Sequence, residues 1–230
     1  MTLLLLACAN GPVDDSAEES STAGENEDAY GHPRELLADC TASRSLDGAD
    51  AGTLSYDAFG YMVHAVDPND RTTEEWTFTL DELGRPVQQE GVDEDGDRML
   101  ETSSYHGDSW QLAVVSGSYN DIGGWTFTYT WSEDGYVIES DDGCRSEAVL
   151  GEGLRMVSST LWCGGASADT TQTWEGDRLV KRHRVRHDAS LAVTEEHSYD
   201  ADGRLSSTSR TETWDNQSQT ELRELSWSCP

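Results

Sequence analysis

The chain has 230 residues and a formal net charge of −30, because 45 acidic residues stand against 15 Lys and Arg. A protein this acidic repels the phosphates of nucleic acids and of anionic lipid head groups, so nucleic acid is not an expected partner. No stretch approaches the roughly 20 apolar residues of a membrane-spanning helix, so the sequence predicts that any link to a membrane is a lipid.

The first eight residues form an apolar run that ends in a small residue and a cysteine. Leu5-Leu6-Ala7-Cys8 resembles the lipobox of bacterial lipoproteins, and residues 1–8 would then be the remnant of a signal peptide. The resemblance implies that Cys8 is acylated and that the protein is exported to the cell envelope. Ala9 after the cysteine implies the outer membrane rather than the inner one.

Residues 9–33 are rich in Ser, Ala, Gly, Asn and acidic side chains, and no Lys or Arg occurs before Arg34. Such a segment cannot bury enough apolar surface to offset the entropy of ordering it. The sequence therefore predicts a disordered acidic tether over residues 9–33, followed by a single folded domain over residues 34–230.

A short motif recurs seven times in that domain. Each copy has an aromatic residue or Leu, then an acidic or polar turn containing Gly, then a new apolar strand. The copies start at Tyr56, Leu80, Tyr105, Trp131, Leu150, Trp174 and Tyr199. Starts roughly 19 to 26 residues apart are typical of a repeat architecture.

The segments between the turns alternate as half-buried strands do. In the segment 125–131, four aromatic residues alternate with three Thr. Turn residues also fall midway between the motifs, at 67–70, 93–97, 121–124 and 215–216. We therefore predict an all-β, antiparallel up-and-down meander of about 14 strands, curled into a curved sheet or barrel, with a short helical turn only within residues 34–42. Polar residues opposite the aromatic ones argue against a membrane barrel.

The motif resembles the YD repeat of RHS-type proteins, whose units read Tyr-Asp-x-x-Gly-Arg-Leu. Residues 199–205 match that pattern in full, and residues 80–85 and 56–60 match it in part. The resemblance covers most of residues 50–215 and implies a β-meander. It does not imply the toxin-encapsulating shell of the large family members, because this chain has neither their length nor a toxin domain.

Four cysteines remain if Cys8 is acylated: Cys40, Cys144, Cys163 and Cys229. An even set in an exported protein favours disulfides, with three pairings possible. Cys144 and Cys163 flank the turn at 151–153, whereas Cys40 and Cys229 lie at the two ends of the domain. A zinc site is the alternative, but the chain has no CxxC pair and no His close to these cysteines.

Neither a catalytic group nor a metal or cofactor site is predicted. The six His residues are scattered, and none has the spacing of a metal-binding motif. They are His32, His64, His106, His183, His187 and His197. The acidic loop 93–97 resembles a calcium loop, but it lacks the EF-hand order and the final bidentate Glu, so an acidic turn is favoured.

One basic run stands out, residues 181–187, in which Arg182, Arg184 and Arg186 share a strand face. Two interpretations remain open. The strip could pair with Glu195 and Glu196 on the next strand, or it could recognise an anion, a glycan or an acidic partner. The aromatic stripe 125–131 is similarly open between core packing and the lining of a ligand cavity.

The leading functional hypothesis is an envelope-anchored lipoprotein that serves as a non-enzymatic binding or scaffolding module, with an envelope protein or glycan as partner. The alternative is a periplasmic carrier that holds an apolar ligand in the curved sheet. An enzyme is the third option, and it has no nucleophile–base or metal pattern to support it. An exposed basic strip would favour the scaffold, and an apolar cavity would favour the carrier.

Overall fold

The computed structural model describes residues 34–69, 71–92, 96–120, 122–215 and 217–230. Within these residues the chain forms sixteen strands and two short 3-10 turns, at Arg34–Leu36 and Glu152–Leu154. The strands are β1 (Thr41–Leu46), β2 (Ala49–Tyr56), β3 (Met62–Val66), β4 (Thr72–Leu80), β5 (Pro86–Val92), β6 (Arg98–Tyr105), β7 (Leu112–Tyr119), β8 (Ile122–Trp131), β9 (Gly135–Ser140), β10 (Arg145–Leu150), β11 (Met156–Cys163), β12 (Ala166–Glu175), β13 (Arg178–Arg186), β14 (Leu191–Tyr199), β15 (Leu205–Trp214) and β16 (Gln217–Ser228).

The strands form one closed antiparallel barrel in which each pairs with its neighbours in sequence, and β1 pairs with β16. The predicted all-β meander is therefore confirmed, and closure removes the exposed sheet edges. The count differs from the predicted fourteen, because the seven motif turns join only β2 to β15. The strands β1 and β16 flank this array without a motif turn of their own, and they close the barrel.

Three of the seven motif turns share one hydrogen-bond pattern. At Asp81 the side-chain Oδ1 accepts the backbone N–H groups of Leu83 and Arg85, both at 2.9 Å. The same pattern occurs at Asp57 and at Asp200. The motif glycine has φ values of +77°, +77° and +92° in these three copies, which is a conformation that few other residues adopt. The turn chemistry of the repeat thus explains its Asp and its Gly.

The aromatic residue of the motif joins one repeat to the preceding one. It donates a hydrogen bond from its ring N–H or O–H to a backbone carbonyl just after the preceding motif turn. The pairs are Tyr105 to Pro86 (2.9 Å), Trp131 to Leu112 (2.7 Å), Trp174 to Met156 (2.8 Å) and Tyr199 to Leu179 (2.5 Å). Trp227 of β16, which belongs to no motif copy, makes the same kind of bond to Leu205 (2.6 Å). A register shift occurs at the first residue of six of the seven motif copies, and at Tyr105, Trp174 and Tyr199 it coincides with this contact. These inter-repeat bonds explain why the motif keeps an aromatic donor.

We expect Tyr199→Phe to lower the free energy of unfolding by about 1 kcal/mol, because it removes one inter-repeat hydrogen bond and leaves the Leu179 carbonyl without its donor. Urea unfolding followed by circular dichroism would measure the change. Ser198→Ala is the control, since Ser198 is the exposed neighbour on the same strand. An unchanged midpoint for Tyr199→Phe would show that the aromatic ring contributes only by packing.

Two disulfides fasten the barrel. Cys40 and Cys229 join the start of β1 to the end of β16, and Cys144 and Cys163 join β10 to β11. The disulfides predicted from the even set of cysteines are present, and they engage all four thiols, so the zinc alternative is excluded for these residues. The first bond spans 189 residues and fixes the seam where the barrel closes.

Candidate functional site

The basic run lies on β13 and faces the interior of the barrel. Arg182 and Arg184 pair in register with Gln172 and Thr170 of β12. Directly paired residues of antiparallel strands point to the same face, and Gln172 and Thr170 are only 6% and 2% exposed. The alternate residue Lys181 is exposed on the outer face. The strip is thus not the exposed surface that the scaffold hypothesis needs.

Pairing with acidic neighbours accounts for only part of the strip. On the inner face a guanidinium nitrogen of Arg182 lies 3.4 Å from Glu195, and on the outer face Lys181 lies 3.0 Å from Glu196. Arg186 pairs with Asp188 at 2.9 Å. Arg184, by contrast, forms no ion pair with any residue that the structure describes, and its Nε has no hydrogen-bond partner.

The inward residues Gln172, Arg182, Arg184, Arg186 and Arg210 are called the basic wall below. Gln172 has no hydrogen-bond partner at either amide atom, and the Nε of Arg182 also lacks one. Buried polar atoms in folded proteins are nearly always hydrogen-bonded, to protein or to water. The Gln172 amide and the Nε–H groups of Arg182 and Arg184 are therefore available to something other than the described part of the chain, whereas Arg186 and Arg210 pair with Asp188 and Glu212.

Half of the barrel circumference away, strands β4 to β8 carry an aromatic inner face. The inward residues Trp76, Phe78, Trp125, Phe127 and Tyr129 are called the aromatic wall below. The predicted stripe 125–131 belongs to it, with Phe127 buried and the Trp125 and Phe127 rings 5.1 Å apart. The aromatic residues face the same interior as the basic wall.

The aromatic wall contains a carboxyl group that sequence reasoning missed. Glu101 is 1% exposed and pairs in register with Gln89, which is 4% exposed. Atom Oε2 of Glu101 and atom Oε1 of Gln89 have no hydrogen-bond partner. Burial raises the pKa of Glu101 to about 8. The signal in the sequence was its even spacing from Met99 and Tyr105 on the same strand, which places all three on one face.

The histidines do not form a site among the described residues. His64, His183 and His197 each hydrogen-bond a threonine hydroxyl, at 3.0, 2.8 and 3.1 Å. His187 lies 2.8 Å from Asp169 on the outer surface. Within the described ranges no group of three or more His, Cys, Asp or Glu side chains is placed to hold a metal ion.

Some predicted features lie outside the described residues. These are Cys8, residues 1–33 with the lipobox and tether, His32, and residues 93–95 of the acidic loop. In the described part of the chain, no helix has the length and apolar character needed to cross a membrane.

No family model matches the chain, and no curated protein matches it. Among solved structures, it is similar to a porin-like protein from Bacteroides uniformis, with 11% identity over 83% of this chain and 96% of that one, at a TM-score of 0.44. It is also similar to the Tc holotoxin pore of Photorhabdus luminescens, with 11% identity over 77% of this chain and 15% of that one, at a TM-score of 0.20. TM-scores below 0.5 do not establish a shared fold.

Proposed function

We propose that this protein is an exported, non-enzymatic binding module that holds an anionic ligand inside its barrel, against the basic wall. The observation that carries the proposal is the buried Gln172 amide, which has no hydrogen-bond partner and pairs in register with Arg182. Guanidinium groups bind carboxylates and phosphates bidentately, and an amide adds a further donor. An oxyanion is the ligand group that such a wall fits.

The position of the wall limits the kind of ligand. Arg182 and Arg184 point into a closed barrel whose outer face is largely Thr, Ser and acidic residues. A small molecule or the end of a glycan chain can reach an interior wall, whereas the flat surface of a folded protein cannot. Within the binding-or-scaffolding hypothesis, the geometry therefore favours binding of a ligand over scaffolding.

Two observations support an exported location in the cell envelope. Disulfides persist in oxidising compartments, and this barrel has two. The lipobox resemblance at Leu5-Leu6-Ala7-Cys8 then supplies an outer-membrane anchor, and residues 9–33 supply a spacer between lipid and barrel. The shared turn geometry at Asp57, Asp81 and Asp200 supports kinship with the YD repeats.

A carrier of an apolar ligand is the second candidate, because the aromatic wall also faces the interior. Native mass spectrometry of the protein purified from an oxidising compartment separates the two. A retained lipid mass would favour the carrier and assign the ligand to the aromatic wall, whereas a retained polar acid would favour the basic wall.

We expect Arg184→Gln to weaken the binding of a small organic anion by about 10-fold or more, because it removes the guanidinium that lacks an ion-pair partner in the described chain. Titration calorimetry with citrate and with sulfate, at constant ionic strength, would measure the affinity. Lys181→Gln is the matched control, since it removes the same charge from the outer face of the same strand. An equal loss in both variants would reduce the effect to net charge and contradict the proposal.

A further inference from the structure

Two buried polar side chains lie on the strands that carry the aromatic wall, and they have no part in the proposed anion site. Glu101 and Gln89 lie side by side on β6 and β5, and each has an oxygen without a hydrogen-bond partner. A hydrophobic barrel wall has no structural need for an unpaired carboxyl oxygen, and burying one is unfavourable. A ligand group that donates hydrogen bonds to both oxygens would remove the penalty.

Two indole rings flank this pair. Trp125 lies over Gly117, the register partner of Glu101, so closely that a Cβ there would come within 2.2 Å of its ring. Trp76 lies over Gly91, two residues from Gln89 on the same strand and face, with a corresponding distance of 2.4 Å. Packing of aromatic rings over cross-strand glycines is a common device of β-sheets. Here it also places two π-faces beside two unpaired acceptors.

The surroundings of Glu101 contain no competing cation in the described chain. Gln89 faces it from β5, and Ser103 donates a hydrogen bond to it from its own strand. From β8 the nearby groups are Trp125 and the phenol of Tyr129, whose pKa is raised by burial, so that it stays neutral. No described Lys, Arg or His forms an ion pair with Glu101; the positive charge that lowers its pKa is that of the chain's amino terminus, which lies outside the described residues.

We infer that Glu101 and Gln89, flanked by Trp76 and Trp125, form a binding site for an organic ammonium group. The carboxylate supplies the opposite charge, the amide oxygen accepts a second N–H, and the indole faces attract the cation. The net charge of −30 favours the approach of cations. Because burial raises the pKa of Glu101 to about 8, the carboxyl of the empty site holds its proton at neutral pH, and binding of the cation there displaces that proton to solvent.

The test is calorimetric titration of the full protein with n-butylammonium chloride, with n-butanol as the neutral match. We expect affinity for the ammonium to rise roughly 10-fold per pH unit between pH 6 and 8, with release of nearly one proton per ligand at pH 7. Butanol should bind at least about 10-fold more weakly at pH 8. Equal binding of butanol, or affinity that does not change with pH, would overturn the inference.

Variants assign the effect to residues. Glu101→Gln should abolish both the pH dependence and the proton release, whereas Glu75→Gln, on the outer face of β4, should leave them unchanged. Gln89→Met provides a second variant that keeps the carboxyl, and it should weaken binding several-fold while the pH dependence persists. Arg184→Gln should leave ammonium binding intact, so failure of this site and failure of the anion site are distinguishable. Loss of ammonium binding in Glu75→Gln to the same extent would contradict the assignment.

Discussion

Replacing Cys40 and Cys229 together by alanine is expected to lower the free energy of unfolding by about 5 kcal/mol. The disulfide closes a loop of 189 residues, and the entropy that a cross-link removes from the unfolded chain grows with the logarithm of loop length. Alanine is preferred over serine, since Cys40 is buried and a hydroxyl there would need a new partner. For a domain of this size the loss corresponds to a melting temperature lower by roughly 10 to 20 °C.

The second disulfide provides the matched control. Cys144 and Cys163 are separated by 19 residues, so their replacement by alanine is expected to lower the free energy of unfolding by only about 3 kcal/mol. Urea unfolding of both double variants under non-reducing conditions would measure the difference. If both double variants lost the same free energy of unfolding, loop length would not be the source of the stabilisation. The local packing around each disulfide would then be its source.

The seam disulfide is the larger contributor for a topological reason as well. Every other strand pair in the barrel is joined by a chain connection, but β1 and β16 meet only through their ladder of hydrogen bonds. The Cys40–Cys229 bond turns this last junction into a covalent one. Its removal should also lower the concentration of denaturant at which amide protons of β1 begin to exchange.

The fold was predictable because the information for it is local. At three of the motif turns an Asp caps its own turn and a Gly has positive φ, as at Asp81 and Gly84, and two successive motif turns delimit a strand pair. The closing strands were missed because β1 and β16 pair across 189 residues, and no local motif marks that junction.

The candidate site was only partly predictable. Along β13 both faces are polar, with Lys181 and His183 on one face and Arg182 and Arg184 on the other, so alternation separates the faces without identifying the inner one. On β6 the pattern misleads: Leu100 is 37% exposed and its neighbour Glu101 is buried. Met99 and Tyr105 occupy the inner face and set the register of β6. This register places Glu101 inside and Leu100 outside, against the preference of each side chain.

The buried Glu101 leads to the second large effect: the free energy of unfolding falls as pH rises. In the unfolded chain Glu101 ionises near pH 4.5, whereas in the barrel burial raises its pKa to about 8. Below pH 4.5 both states hold the proton, so the group has no effect. Between pH 4.5 and 8 the folded state alone keeps the proton, so the free energy of unfolding falls with rising pH, by about 5 kcal/mol in total.

Glu101→Gln removes this dependence, because the amide is similar in shape to the protonated acid and has no charge to bury. We expect the variant to match the parent near pH 4 and to exceed its free energy of unfolding by about 5 kcal/mol near pH 9. Carboxyl groups with lowered pKa values, such as Asp67 beside Arg71, have the opposite dependence, but they are common to both proteins and cancel in the difference. Urea unfolding at one-unit pH steps would measure the gap. Glu75→Gln, on the exposed outer face of β4, is the control and should give a difference near zero at every pH. A similarly flat result for Glu101→Gln would mean that water or a cation reaches Glu101 in the barrel without a ligand.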